Sequence, residues 1–166
     1  MKTYIVGVAV IILATSFLCF QFDYNLHQQQ IHSLKFTCEE AAAAAAQFYI
    51  KEEYAEGYKV FNKEEGIKAA EHIIKSHLRL NDDFTPKADS YWTDRATYQI
   101  YFFDDSNTVY PALYEDDSSL FTVVITDPTV IVKINAGKGN YRIQNLKNIS
   151  SSIQIAAHEW KERKPF

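Results

Sequence analysis

Proline is absent before Pro86, and the whole chain of 166 residues holds only four prolines and five glycines. From Tyr4 to Glu56 the one weak helix former is Gly7, so nothing local prevents the first third of the chain from being one long helix. Cysteine is equally scarce, with Cys19 and Cys38 alone. Nineteen residues of helix between them span roughly 28 Å, far beyond bridging reach, which excludes a disulfide between the two. One exterior thiol among scattered histidines also gives no zinc-ligand spacing. Cys38 reads as a small apolar residue on a helix face, with an intermolecular bridge between parallel stems as the sharper alternative.

A basic excess is missing as well. Lys and Arg number 17 against 21 Asp and Glu, for a net charge of −4. A nucleic-acid binder needs a basic face to displace counterions, so nucleic acid is not an expected partner. Catalytic motifs are missing too. No G-x-S-x-G occurs, Gly137-Lys138-Gly139 lacks the spacing of a phosphate-binding loop, and His158-Glu159 has no second histidine four residues after the first. His27 and His32 are five apart, as are His72 and His77, a poor spacing for a shared ligand on one helix face. No enzyme activity and no cofactor are expected.

Charge is also missing from the start of the chain, where Lys2 is the sole charged side chain among residues 1–22. The 17 residues Tyr4–Phe20 are uncharged, and with Phe22 they reach the lower limit of a membrane span, about 17–25 residues. Lys2 precedes the span, and no Lys or Arg follows it until Lys35. The positive-inside tendency then puts the N-terminus in the cytoplasm and residues 23–166 outside, on a single-pass cell-membrane anchor. A cleaved signal peptide is the rival reading, but the apolar run is long for one and no A-x-A site follows it. A lipidated Cys19 would want a small residue before it, and Leu18 stands there.

Beyond the span, Leu34, Cys38, Ala41, Ala42, Ala45 and Phe48 recur at mixed helical steps and form a candidate packing or interface stripe. The six alanines Ala41–Ala46 add high helix propensity and allow close backbone approach. The pattern predicts one helix from about residue 3 to about 56, with Asn25–Gln30 as the place for a break. A second helix is expected over Lys63–Leu80, capped by Asn62 with Glu65 at N3, and buried along Ile67, Ala70, Ile74 and Leu78. After Pro86 the period changes to two. Thr97–Phe103, Leu120–Thr126, Thr129–Ile134, a start at Tyr141–Ile143, and Ser151–Ala157 read as strands. A helical half followed by a strand half is an α+β fold with an antiparallel sheet of four or five strands. The domains are then an anchor at 1–22 and an exterior α+β domain at 23–166, with helices over about 23–80 and strands over about 91–160. The aromatic cluster from Tyr91 to Phe103 reads as core rather than a ligand platform.

Asp104, Asp105, Glu115, Asp116 and Asp117 read as two turn-like segments. Exterior carboxylates so gathered are candidate Ca²⁺ ligands. They lack the EF-hand spacing and glycine, so a solvated acidic loop is the expected reading and no metal is assigned.

An apolar N-terminal span, a continuing Ala-rich helix, a second helix and a β-rich head resemble the type IV pilin-like architecture. Glu39-Glu40-Ala41 to Ala46, Gly57, Glu65-Gly66-Ile67-Lys68-Ala69-Ala70, Leu78-Arg79-Leu80 and Thr126-Asp127-Pro128-Thr129-Val130-Ile131-Val132 are similar to tight-adherence-type minor pilins (pseudopilins) of Gram-positive bacteria. The likeness covers about residues 3–134. It implies a non-enzymatic membrane subunit of a surface filament or secretion apparatus, with other pilin-like subunits or a membrane platform protein as partners besides lipid. Gly7 is followed by Val8–Ile12 and no glutamate, which points to an uncleaved accessory subunit rather than a processed major one. An exterior ligand- or ion-binding sensor domain on the same anchor is the alternative.

Overall fold

The structure, a computed structural model, describes residues 2–117, 120–142 and 151–160. Its elements are α1 (Lys2–Ala45), α2 (Lys51–Ala55), α3 (Lys63–His77), β1 (Thr97–Phe103), β2 (Ala112–Asp116), β3 (Phe121–Ile125), β4 (Thr129–Gly137) and β5 (Ser152–Glu159). This is an α+β fold with a long N-terminal helix and five antiparallel strands. The strands do not form one sheet. β4 lies between β1 and β5 in a three-stranded sheet, and β2–β3 make a separate hairpin.

The layers follow from side-chain alternation. Val130, Val132, Ile134 and Ala136 of β4, with Ala156 of β5, join Leu34, Cys38, Ala41, Ala42 and Ala45 of α1 and Ala70 and Ile74 of α3 in the main core. The opposite sheet face carries Ile131, Ile155, Tyr101 and Phe103, and the hairpin covers these with Ile125, Tyr114, Phe121 and Val123. Helices, sheet and hairpin are therefore three successive layers; the central strand β4 is apolar along its helix-facing side, while its hairpin-facing side carries Thr129, Ile131, Lys133 and Asn135.

The helix α1 differs from its expected course in two ways. It ends at Ala45, not near residue 56. Phe48-Tyr49-Ile50 instead runs extended beside 60–62, with Ile50 N donating to Val60 O at 2.9 Å and Asn62 N to Phe48 O at 3.0 Å. Aromatic and β-branched side chains lose rotamer freedom in a helix, and this bridge gives their backbone other partners. The helix is also unbroken through Asn25–Gln30, because that stretch is docked against the head.

The second helix starts as expected. Asn62 caps it, its side chain accepting from Glu65 N at 3.3 Å. It ends at His77 rather than Leu80, since Arg79 takes a positive φ of 54°. Ile67 is not part of its buried stripe and Gly66 is. A Cβ at Gly66 would sit 3.0 Å from the Ala45 carbonyl oxygen and 3.1 Å from the Phe102 ring, so the missing side chain is what lets α3 approach α1 and β1 there. In the strand half, β1 has its expected limits and β4 runs on to Gly137. The strand β2 was not expected. Tyr141 lies outside any strand, and Ile143 falls outside the described residues.

Candidate functional site

The expected packing stripe is inside the head. Leu34, Cys38, Ala41, Ala42 and Ala45 are each fully buried, and they meet the protein's own sheet and α3. Phe48 is not on this stripe. It follows the end of α1 and is 39% exposed. The Cys38 thiol donates to the Gln154 carbonyl oxygen at 3.4 Å, and burial pushes its pKa up to about 12. The protonated thiol is therefore the form present at neutral pH, and thiolate chemistry is suppressed. Because the folded pKa is the higher one, this contribution to stability is complete below the unfolded value, about 8.5, and is lost as pH rises from there toward 12. We predict that alkylating reagents at pH 8 leave Cys38 unmodified in the folded protein and modify it once the chain is unfolded. Labelling of Cys38 at equal rates in both states would contradict its burial.

The candidate calcium ligands do not converge. Asp104 is buried at the end of β1, where Phe61 N donates to Oδ2 at 3.3 Å and Ser106 N to Oδ1 at 3.1 Å. Asp105 accepts from Lys59 N at 2.7 Å. Glu115 and Asp116 are not in a turn but in β2, and Asp116 pairs with Lys133 at 2.6 Å. Asp117 follows β2. Among the described residues no group of three or more His, Cys, Asp or Glu side chains stands close enough to hold a metal ion.

The stretch that sequence reasoning missed is the junction between the apolar half of α1 and the head. From Tyr4 to Phe22 the large apolar side chains are exposed, and the apolar window of the helix is entirely unburied. Burial begins abruptly at Asp23, which is 2% exposed. Its Oδ2 accepts from Arg142 N at 2.9 Å. One turn on, His27 Nδ1 lies 3.1 Å from the Tyr91 hydroxyl and 2.9 Å from the Tyr141 hydroxyl. The Arg142 guanidinium stands 4.6 Å from the Phe22 ring centroid. Gly139 fits beneath Tyr91, because a Cβ there would come 2.7 Å from the Tyr91 Cζ. These groups form a collar that ties the segment after β4 to the stem.

Burial sets the chemistry of the collar. It raises the pKa of Tyr91 and Tyr141, with the Asp23 carboxylate acting in the same direction, and it lowers that of His27. A histidine whose folded pKa is depressed contributes stability above its unfolded value, about 6.5, and loses it as pH falls below that. The collar should therefore loosen on acidification. Denaturation at pH 7.5 and 5.5 should show a larger loss for the wild type than for His27→Gln; equal losses would remove His27 from the account.

Above the collar a polar cleft of about 360 Å³ is bordered by Gln30, Ser33, His77, Arg79, Asp89 and Tyr91. Its guanidinium is already engaged, Arg79 Nη1 donating to Asp89 at 2.6 Å. The remaining four histidines are spread out: His77 Nε2 is 3.3 Å from Glu40, His32 is exposed on α1, His72 is exposed on α3 and His158 is on β5. The Thr37 hydroxyl lies 3.5 Å from His77 Nδ1, but Thr37 is fully buried and its hydroxyl donates to the Ser33 carbonyl oxygen at 2.8 Å.

Among the described residues α1 is the one helix long and apolar enough to cross a membrane, and it fits a single-pass anchor. Compared with protein-family models, with curated proteins and with solved structures, the chain matches none of them.

Proposed function

We propose that this chain is a membrane-anchored, non-enzymatic accessory subunit of the pilin-like kind. It works through protein–protein contacts in a surface filament or secretion apparatus, with its N-terminus in the cytoplasm and its head outside the cell. The observation that carries this reading is the continuity of α1. One uninterrupted helix of 44 residues, about 66 Å long, presents bare apolar side chains over its first half and serves as the spine of the head over its second. Such a stem transmits position and force between membrane and head without a flexible joint. Lys2 before the span supports the orientation. The hairpin offers an exterior contact surface, where Leu113 and Val124 are paired across the strands and exposed.

The test is photo-crosslinking in the native host, with a photoreactive residue in the full chain at Leu113 or at Phe36, an exposed position on α1. The reading expects capture of a pilin-like chain or a membrane platform protein. Recovery of the uncrosslinked monomer from both positions would count against it. The second reading, an exterior sensor domain, draws on the polar cleft. It expects a small solute to raise the thermal unfolding midpoint of the full chain, and Arg79→Ala to abolish that rise while crosslinking is absent.

A further inference from the structure

The position of the bilayer surface along α1 has a consequence for the collar, and the inference rests on the anchor reading. Tyr4 and Tyr24 flank the exposed apolar stretch. The 20 helical steps from Tyr4 to Tyr24 span about 30 Å, the thickness of the hydrocarbon core. Aromatic residues with a polar tip gather at both membrane interfaces, so Tyr4 and Tyr24 mark the two surfaces. Phe22 and Asp23 are then at the outer boundary.

The head comes down the stem to that boundary. Near Cys38 the neighbour is Gln154, at His27 it is Tyr141, and at Asp23 and Phe22 it is Arg142. Between Asn135 and Arg142 the chain thus descends toward the bilayer. Arg142 is exposed, and its guanidinium stands over the ring of Phe22, the last apolar residue of the span. A guanidinium that uses its face on an aromatic ring keeps its N–H edge for an anion, and its fork matches phosphate oxygens two at a time. The Asp23 carboxylate is buried and accepts from the Arg142 backbone N–H.

We propose that Arg142 binds the phosphate of a membrane phospholipid, so that the base of the head is a lipid-headgroup site. Phe22 positions the guanidinium from the hydrocarbon side, and the Asp23 carboxylate fixes the Arg142 backbone at the depth of the phosphate layer. The site gives the head a fixed height above the bilayer. It also adds the lipid to the contacts that hold the stem upright.

The experiment uses the full chain reconstituted in vesicles of phosphatidylcholine with phosphatidylglycerol. Solid-state NMR measures dephasing of arginine side-chain ¹⁵N by lipid ³¹P. A nitroxide on Ala14→Cys, in a Cys19→Ser background, reports the depth of the span in parallel. The expected result is a dephased guanidinium signal that is lost in Arg142→Lys, with the residue-14 label at the bilayer centre. The lysine variant keeps the backbone N–H to Asp23, and its unchanged thermal unfolding would show that the collar is intact. No dephasing, or dephasing that survives Arg142→Lys, with the residue-14 label at the centre, overturns the lipid site and leaves the anchor standing. A residue-14 label in water overturns the anchor reading, and the lipid site falls with it.

Discussion

Replacing Asp104 by alanine should destabilise the head by about 1–3 kcal/mol, since the buried Phe61 N–H and the part-buried Ser106 N–H would lose a charged acceptor. The carboxylate is fully buried and joins separate parts of the chain. Its Oδ2 holds Phe61 N, from the extended segment before α3, and its Oδ1 holds Ser106 N just past β1. Lys63 Nζ lies 3.9 Å away and is half exposed, so most of the cost comes from the stranded N–H groups rather than from the ion pair. Asp104→Asn should fall between wild type and alanine, because its amide presents one acceptor where two sides need one. Denaturant midpoints of the full chain in detergent, for wild type and both variants, test this. An alanine variant as stable as wild type would mean that the 61–63 segment is held by something else.

The second large effect belongs to the alanine face of α1. Leucine at Ala42 or Ala45 should cost about 1–3 kcal/mol through overpacking. Helix propensity is nearly the same for the two residues, so the loss reports packing alone. Ala41, Ala42, Ala45 and Ala46 are buried, whereas Ala43 and Ala44 are half-buried. A leucine scan over 41–46 should therefore fall at 41, 42, 45 and 46 and recover at 43 and 44. The Ala45 carbonyl is also the atom a Cβ at Gly66 would strike, and Gly66→Ala should show a smaller loss of the same origin. A flat thermal-stability profile would mean that this face touches nothing.

Local signals account for the parts of the fold that could be read from the residues. Asn62 and Glu65 announce the start of α3 because a cap needs only its own first turn. The alternation of Tyr98, Ile100 and Phe102 announces β1 because one face of that strand meets the helices. The strand β2 was hidden by its composition. Glu115 and Asp116 suggest a turn, and the pairing of Asp116 with Lys133, 17 residues on, accommodates the carboxylate in a strand. The end of α1 was hidden for a similar reason, since Phe48–Ile50 is extended by its partners at 60–62. The collar was the least legible. Asp23 meets Arg142 across 119 positions and His27 meets Tyr91 across 64, and neither residue carries a neighbour that forecasts such a contact. A carboxylate just after an apolar span reads as solvated until the fold brings the head down onto it.

The central claim is that the first half of α1 stays in the membrane as an uncleaved stem for the head. Alkaline extraction of membranes from cells making the full chain, with protease added to intact protoplasts beforehand, tests it most directly. Without protease the account predicts a full-length chain of 19.1 kDa retained in the membrane pellet. With protease it predicts loss of the head and retention of a short anchored fragment. A shortened, soluble chain released into the medium, or a full-length chain extracted at alkaline pH, would contradict it.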